Sequence, residues 1–140
     1  MLIKPLSLPI QIGKGRNLMK RDFDLLRSIL FRIEEQPANV KITTSTFSDL
    51  CEDNFLISLH ISLLIEQEMI IAQEIPRTRQ YLPDYWIIRL TSRGYDYLDS
   101  IRNDSIWERT KSKISQLGES LPIEIVQSIA SQLIIDSLQL

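Results

Sequence analysis

Met69-Ile70-Ile71-Ala72-Gln73-Glu74-Ile75, then Pro76 to Asp84, then Tyr85-Trp86-Ile87-Ile88-Arg89-Leu90 reads as a β-hairpin. Both flanks are short runs of β-branched and aromatic residues, and the nine-residue connection holds a proline near each end. Alternation along the second run predicts Trp86, Ile88 and Leu90 on one face. Upstream, Asn54 to about Gln67 reads as a helix. Before it Ser45-Thr46-Phe47-Ser48-Asp49-Leu50-Cys51 reads as a short helix with capping residues at its front. Val40-Lys41-Ile42-Thr43 is a short alternating run, a minimal strand. Asp22 to about Glu35 forms the first helix: Leu26, Ile29, Leu30 and Ile33 recur at three and four, and Pro37 ends it.

Downstream, Thr91 caps a helix running to about Arg102. Ser105-Ile106-Trp107-Glu108 has the spacing of a capping box, so the next helix starts there and stops at Gly118. Ser120-Leu121-Pro122 opens the last helix, with Pro122 at the first helical position. Its apolar face is expected at Ile125, Val126, Ile129, Leu133 and Leu138. The expected fold class is α+β, mostly α: a winged helix-turn-helix over residues 19–102, with a β-hairpin wing. A helical C-terminal extension, 103–140, packs on the same domain.

The whole chain has 140 residues, 44% apolar and 24% charged, with a net charge of −2. That is the composition of one globular domain. One cysteine, Cys51, gives no disulfide framework, and one histidine, His60, leaves little for a metal site. No cofactor is implied. No run of about 18 apolar residues occurs, so no membrane span is expected, and the expected location is cytoplasmic. Residues 1–18 carry Lys4, Lys14 and Arg16 and no acid. Pro5, Ser7, Pro9 and Gln11 interrupt their apolar stretch, which argues against a signal peptide. They read as a flexible leader or as sequence upstream of a start at Met19. Residues 19–140 hold 13 basic and 18 acidic residues, a net charge of −5.

Leu90-Thr91-Ser92-Arg93-Gly94-Tyr95-Asp96-Tyr97-Leu98-Asp99-Ser100-Ile101-Arg102-Asn103-Asp104-Ser105-Ile106-Trp107-Glu108 resembles a domain-of-unknown-function family of bacterial and prophage proteins. Met19-Lys20-Arg21-Asp22, His60-Ile61-Ser62-Leu63-Leu64 and the Ile/Leu-rich end 123–140 are similar to that family too. The resemblance implies a winged-helix-like body and no particular activity. Family members usually have glycine in the turn where this chain has Glu68-Met69.

Duplex binding needs Lys and Arg on phosphates and polar side chains on base edges. The hairpin connection offers Arg77, Arg79 and Gln80, with Arg89 and Arg93 close behind. Residues 75–93 carry four arginines against one acid, Asp84. The helix 54–67, in the place of a recognition helix, holds no Lys or Arg. Its expected polar stripe is Asn54, Ser58, Ser62 and Glu66, on a helix apolar almost all round. Lys20, Arg21, Arg27 and Arg32 mix with acids and read as a solvated face. Asp96, Asp99 and Arg102 fall at three-residue steps. Without a nucleophile, glycine loop or metal cluster they read as a surface ion pair, not an acid–base site. His60 reads as a core or boundary histidine or as a pH sensor, and Cys51 as a small buried apolar residue. Trp86, Tyr95, Tyr97 and Trp107 are placed around the hairpin–helix junction, with Trp107 inward. Ile129, Leu133, Ile134 and Leu138 form an apolar surface fit for a homodimer or for packing within the monomer.

Two functional readings follow, neither enzymatic. The first is a DNA-associating accessory or regulator-like protein of phage or prophage type, contacting duplex DNA mainly through Arg77, Arg79 and Arg89. The second is a protein-interaction module on the same scaffold without DNA binding, using the apolar third or last helix. The hairpin arginines favour the first; the acidic body and the cation-free third helix favour the second.

Overall fold

The computed structural model describes residues 18–76 and 83–139. The elements run α1 (Phe23–Glu34), β1 (Ile42–Thr43), a 3-10 turn (Thr44–Phe47), α2 (Asn54–Glu66), β2 (Ile70–Ile75), β3 (Asp84–Leu90), α3 (Ser92–Ile101), α4 (Asp104–Gln116) and α5 (Ile123–Leu138). Among the described residues the fold is therefore mostly helical α+β, with five α-helices and one antiparallel sheet of order β1-β3-β2.

Local chemistry sets most boundaries. Asp22 caps α1 by accepting from the Leu25 N–H at 3.1 Å, and Asp53 caps α2 through Phe55 N–H at 2.9 Å. Thr91 caps α3 through Gly94 N–H at 3.0 Å. Helix α2 closes with two bonds, Glu68 N–H to Ile65 O and Met69 N–H to Leu64 O, both 2.9 Å. This closure holds Glu68 at φ +60°, where an L side chain is disfavoured. Glu68→Gly is therefore expected to stabilise the protein by about 1 kcal/mol. A urea midpoint that stays put or falls would count against that strain.

Five boundary or face assignments differ from expectation. Residues 45–51 do not make an α-helix. Thr46 Oγ1 accepts from Thr43 N–H at 3.1 Å, and this side-chain bond in a Ser/Thr-rich segment holds a tight 3-10 turn instead. The α4 cap is Asn103, which accepts from Ile106 N–H at 3.0 Å, so Ser105 lies inside the helix. Pro122 takes the cap position of α5 rather than the first helical one. The buried face of α5 is Ile123, Val126, Ala130 and Leu133, while Ile125 and Leu138 are exposed.

The fifth difference lies in the sheet. Ile71 pairs with Arg89 but Ala72 pairs with Ile87, so Ile88 is an extra, bulged residue. The bulge breaks the alternation. Tyr85, Ile87 and Leu90 face the core, whereas Trp86 and Ile88 are 43% and 49% exposed on the other side. Trp86 and Leu90 thus do not share a face.

One core joins every element. Leu26, Ile29 and Leu30 of α1, Phe47 of the 3-10 turn, and Ile57, Ile61 and Leu64 of α2 pack with Met69 and Ile87. Tyr97, Leu98, Trp107, Val126 and Ala130 complete it. Trp107 is buried as expected, and its Nε1–H donates to Asp24 Oδ1 at 2.8 Å, fixing α4 to α1. Tyr97 is buried with it, but Tyr95 and Trp86 are exposed, so the four aromatics do not form one cluster.

Candidate interaction surface

Helix α2 sits between the core and solvent, and its burial pattern defines the surface. Leu56, Ile57, Ser58, His60, Ile61 and Leu64 face inward. Phe55 and Glu66 are exposed, and Leu59, Ser62 and Leu63 are half-buried on the solvent side. The expected stripe of Asn54, Ser58, Ser62 and Glu66 is thus only partly outward. Ser58 is buried because its hydroxyl donates to Pro83 O at 2.9 Å, tying α2 to the start of β3. The Ser62 hydroxyl donates to its own helix, to Leu59 O at 2.6 Å. Asn54 is exposed at the first helical position.

The cations named from sequence are mostly engaged. Arg77, Arg79 and Gln80 lie outside the described residues. Arg89 donates to Leu90 O at 2.9 Å. Arg93 donates to Gln67 O at 2.8 Å and so covers a carbonyl at the α2 C-terminus. The first-helix arginines are not a solvated face. Arg27 bonds Ile101 O and Arg102 O, each at 2.9 Å, and Asp104 at 2.8 Å. Arg32 grips Asp49 with two nitrogens and also Thr46 O. Arg21 reaches Leu121 O at 3.1 Å. Their partners are carbonyls and acids distant in sequence, which no local charge pattern reveals.

Asp99 does pair with Arg102, at 2.8 Å, and Arg102 also holds Glu34 with two bonds of 2.8 and 2.7 Å. That pairing holds the Glu34 carboxyl below its ordinary range. Of the apolar surface named on α5, Leu133 is buried, Ile129 and Ile134 pack against the core, and Leu138 is 75% exposed. Cys51 is half-buried. No group of three or more His, Cys, Asp or Glu among the described residues could hold a metal ion. No helix among them is long and apolar enough to cross a membrane.

His60 is fully buried and bonded at both nitrogens. Nε2 accepts from Asp22 N–H at 2.7 Å, so the proton sits on Nδ1, which donates to Leu56 O at 2.7 Å. Burial pushes its pKa down, against the opposing pull of the Leu56 carbonyl and Asp22. The folded protein thus holds fewer protons here than the unfolded chain. Stability from His60 is full above the unfolded histidine pKa of about 6.5 and is lost as pH falls through that value toward the lower folded one. Urea midpoints are expected to drop between about pH 7.5 and 5.5 in the native protein. In His60→Gln that part of the drop should vanish. An equal drop in both proteins would assign it to other groups. Beside His60, an open groove of about 1130 Å³ runs along the α1 N-terminus, lined among others by Phe23, Leu50, Cys51 and Leu56.

Comparison with known proteins adds the family. A family model described as "Hypothetical protein (DUF2513)" matches residues 20–120. The chain belongs to that family. The DUF2513 match spans α1 to α4 and stops before α5. A protein of Haemophilus influenzae (strain ATCC 51907 / DSM 11121 / KW20 / Rd), described as "Uncharacterized protein", is 31% identical over 118 residues, covering 83% of this chain and 96% of that one. No solved structure matches this chain. The DUF2513 assignment agrees with the family resemblance read at Leu90–Glu108, and it brings no ligand or reaction with it.

The sequence reading misses two parts of the surface. Phe55 stands outward although the helix is apolar almost all round; its position beside the capping Asp53 is the one signal. Ile71, Trp86 and Ile88 share the outer face of the sheet, where Lys41 lies 5.2 Å from the Trp86 ring.

Proposed function

We propose that the protein is a non-enzymatic winged helix-turn-helix scaffold of the bacterial cytoplasm, used to bind another protein rather than to read DNA. Sheet order β1-β3-β2, with α1 before it and α2 leading into the hairpin, supports the winged-helix assignment. In helix-turn-helix proteins the second helix of the pair enters the major groove. Here that helix is α2. Its solvent side offers Asn54, Phe55, Leu59, Ser62, Leu63 and Glu66, without one cation. This observation carries the proposal. A base-reading helix needs donors and phosphate partners, and Glu66 would repel the backbone.

The competing reading is DNA association through the hairpin connection, favoured by Arg77 and Arg79 between β2 and β3. Fluorescence anisotropy on mixed-sequence duplex at about 50 and 200 mM salt separates the two. The interaction module is expected to show no salt-sensitive binding. Tight binding at low salt that fades at high salt, and that weakens in Arg77→Ala with Arg79→Ala, would replace the first reading by the second.

A further inference from the structure

Resting on the reading of α2 as a protein-binding surface, we propose that its partner is a short amphipathic helix with cationic flanks. Phe55, Leu59 and Leu63 recur at steps of four on the solvent side, Phe55 39% exposed and the others half-buried. From Phe55 to Leu63 the stripe is about 12 Å long, which two to three turns of a partner helix cover. Such a strip is narrow, so the side chains around it decide what docks.

Those side chains are acidic. Glu52 is exposed just before the helix, with the capping Asp53 beside it. Exposed Glu66 and Glu68 close the other end. Exposed Glu74 on β2 belongs to the same region: it and Glu66 both raise the pKa of Tyr85, after the larger effect of burial. Helix α2 itself has no Lys or Arg, and at its C-terminus the exposed Arg93, bonded to Gln67 O, stands against Glu66 and Glu68, so the acids remain in excess. A helix with its own apolar stripe between Lys or Arg rows fits both the strip and its rim. An acidic helix of the same apolar pattern is repelled.

Two labelled peptides of about fourteen residues test this on the full chain at about 150 mM salt, read by fluorescence anisotropy. One carries an apolar Leu stripe flanked by Lys, the other the same stripe flanked by Glu. The Lys peptide is expected to bind and the Glu peptide not. Phe55→Ser should weaken the Lys peptide about tenfold, as loss of an aromatic anchor does. Glu52→Gln with Glu66→Gln should weaken it several-fold. Glu124→Gln, on α5, should leave it unchanged. All these positions are exposed, and circular dichroism confirms the fold. Binding indifferent to Phe55→Ser and to the Glu52/Glu66 pair overturns the proposal. So does equal, Phe55-dependent binding of the Glu peptide, although a protein-binding α2 survives that result. If neither peptide binds, the cationic helix is removed as partner. If duplex DNA then binds in a salt-sensitive way, the protein-interaction reading falls as well.

Discussion

Gly94→Ala is expected to lower stability by about 3 kcal/mol, despite alanine being the better helix former by about 1 kcal/mol. Gly94 lies in the first turn of α3, and a Cβ there would overlap the Met69 carbonyl oxygen. That carbonyl belongs to the backbone and already accepts from Thr91 N–H at 2.9 Å. The Thr91 hydroxyl in turn donates to Glu68 O at 2.5 Å. To admit a methyl group the helix must lift away, breaking the bonds that seat it on the end of α2. Gly118 provides the control. Its φ is +113°, but nothing lies within 4 Å of an added Cβ, so Gly118→Ala should lose only the backbone strain, about 1–2 kcal/mol, with no overlap to relieve. Urea unfolding of both variants decides the matter. A Gly94→Ala protein as stable as the native one would mean that α3 does not sit this close.

Trp107→Ala carries the second large effect, a loss of about 4 kcal/mol. The side chain is 1% exposed and among the largest fully buried ones. Its indole N–H bonds Asp24, which Lys111 also reaches at 3.1 Å, and the Arg27 guanidinium lies 5.6 Å from the ring. Trp107→Phe keeps most of the volume and removes the N–H, so about 1 kcal/mol of loss is expected for the bond to an exposed carboxylate. Against a total stability of about 5–15 kcal/mol, the alanine variant should still unfold in one transition, at a much lower midpoint. Two separate transitions would show that residues 103–140 fold apart from the rest.

The elements are readable from sequence where a cap or breaker is local. Thr91, Pro37 and Gly118 each act within a few residues of a boundary, and each boundary falls there. Three local features are still misread, the Thr43–Thr46 turn, the Asn103 cap and the place of Pro122, where neighbouring residues offer competing caps; the rest of what escapes depends on a partner strand or a distant chain segment. The bulge at Ile88 exists because β2 offers one residue where β3 has two, and β3 alone gives no sign of it. Ser58 turns inward because Pro83 returns to meet it, 25 residues later. The first-helix arginines look solvated because their acceptors lie up to 100 residues away. For the surface itself, the apolar, cation-free character of α2 is legible, but its outward side is not. Asn54, Ser58 and Glu66 suggest a polar stripe, whereas hairpin and core leave Phe55 and Leu59 toward solvent.

The extra residue in β3 also bears on how relatives should be aligned. Take Ile88 out, and Tyr85, Ile87 and Leu90 keep their inward parity while Trp86 and Arg89 keep theirs. A homologue one residue shorter at this point would build the same core from the same positions. A single gap there would record the gain or loss of one spare link in the strand, and the two chains on either side of it would share one architecture.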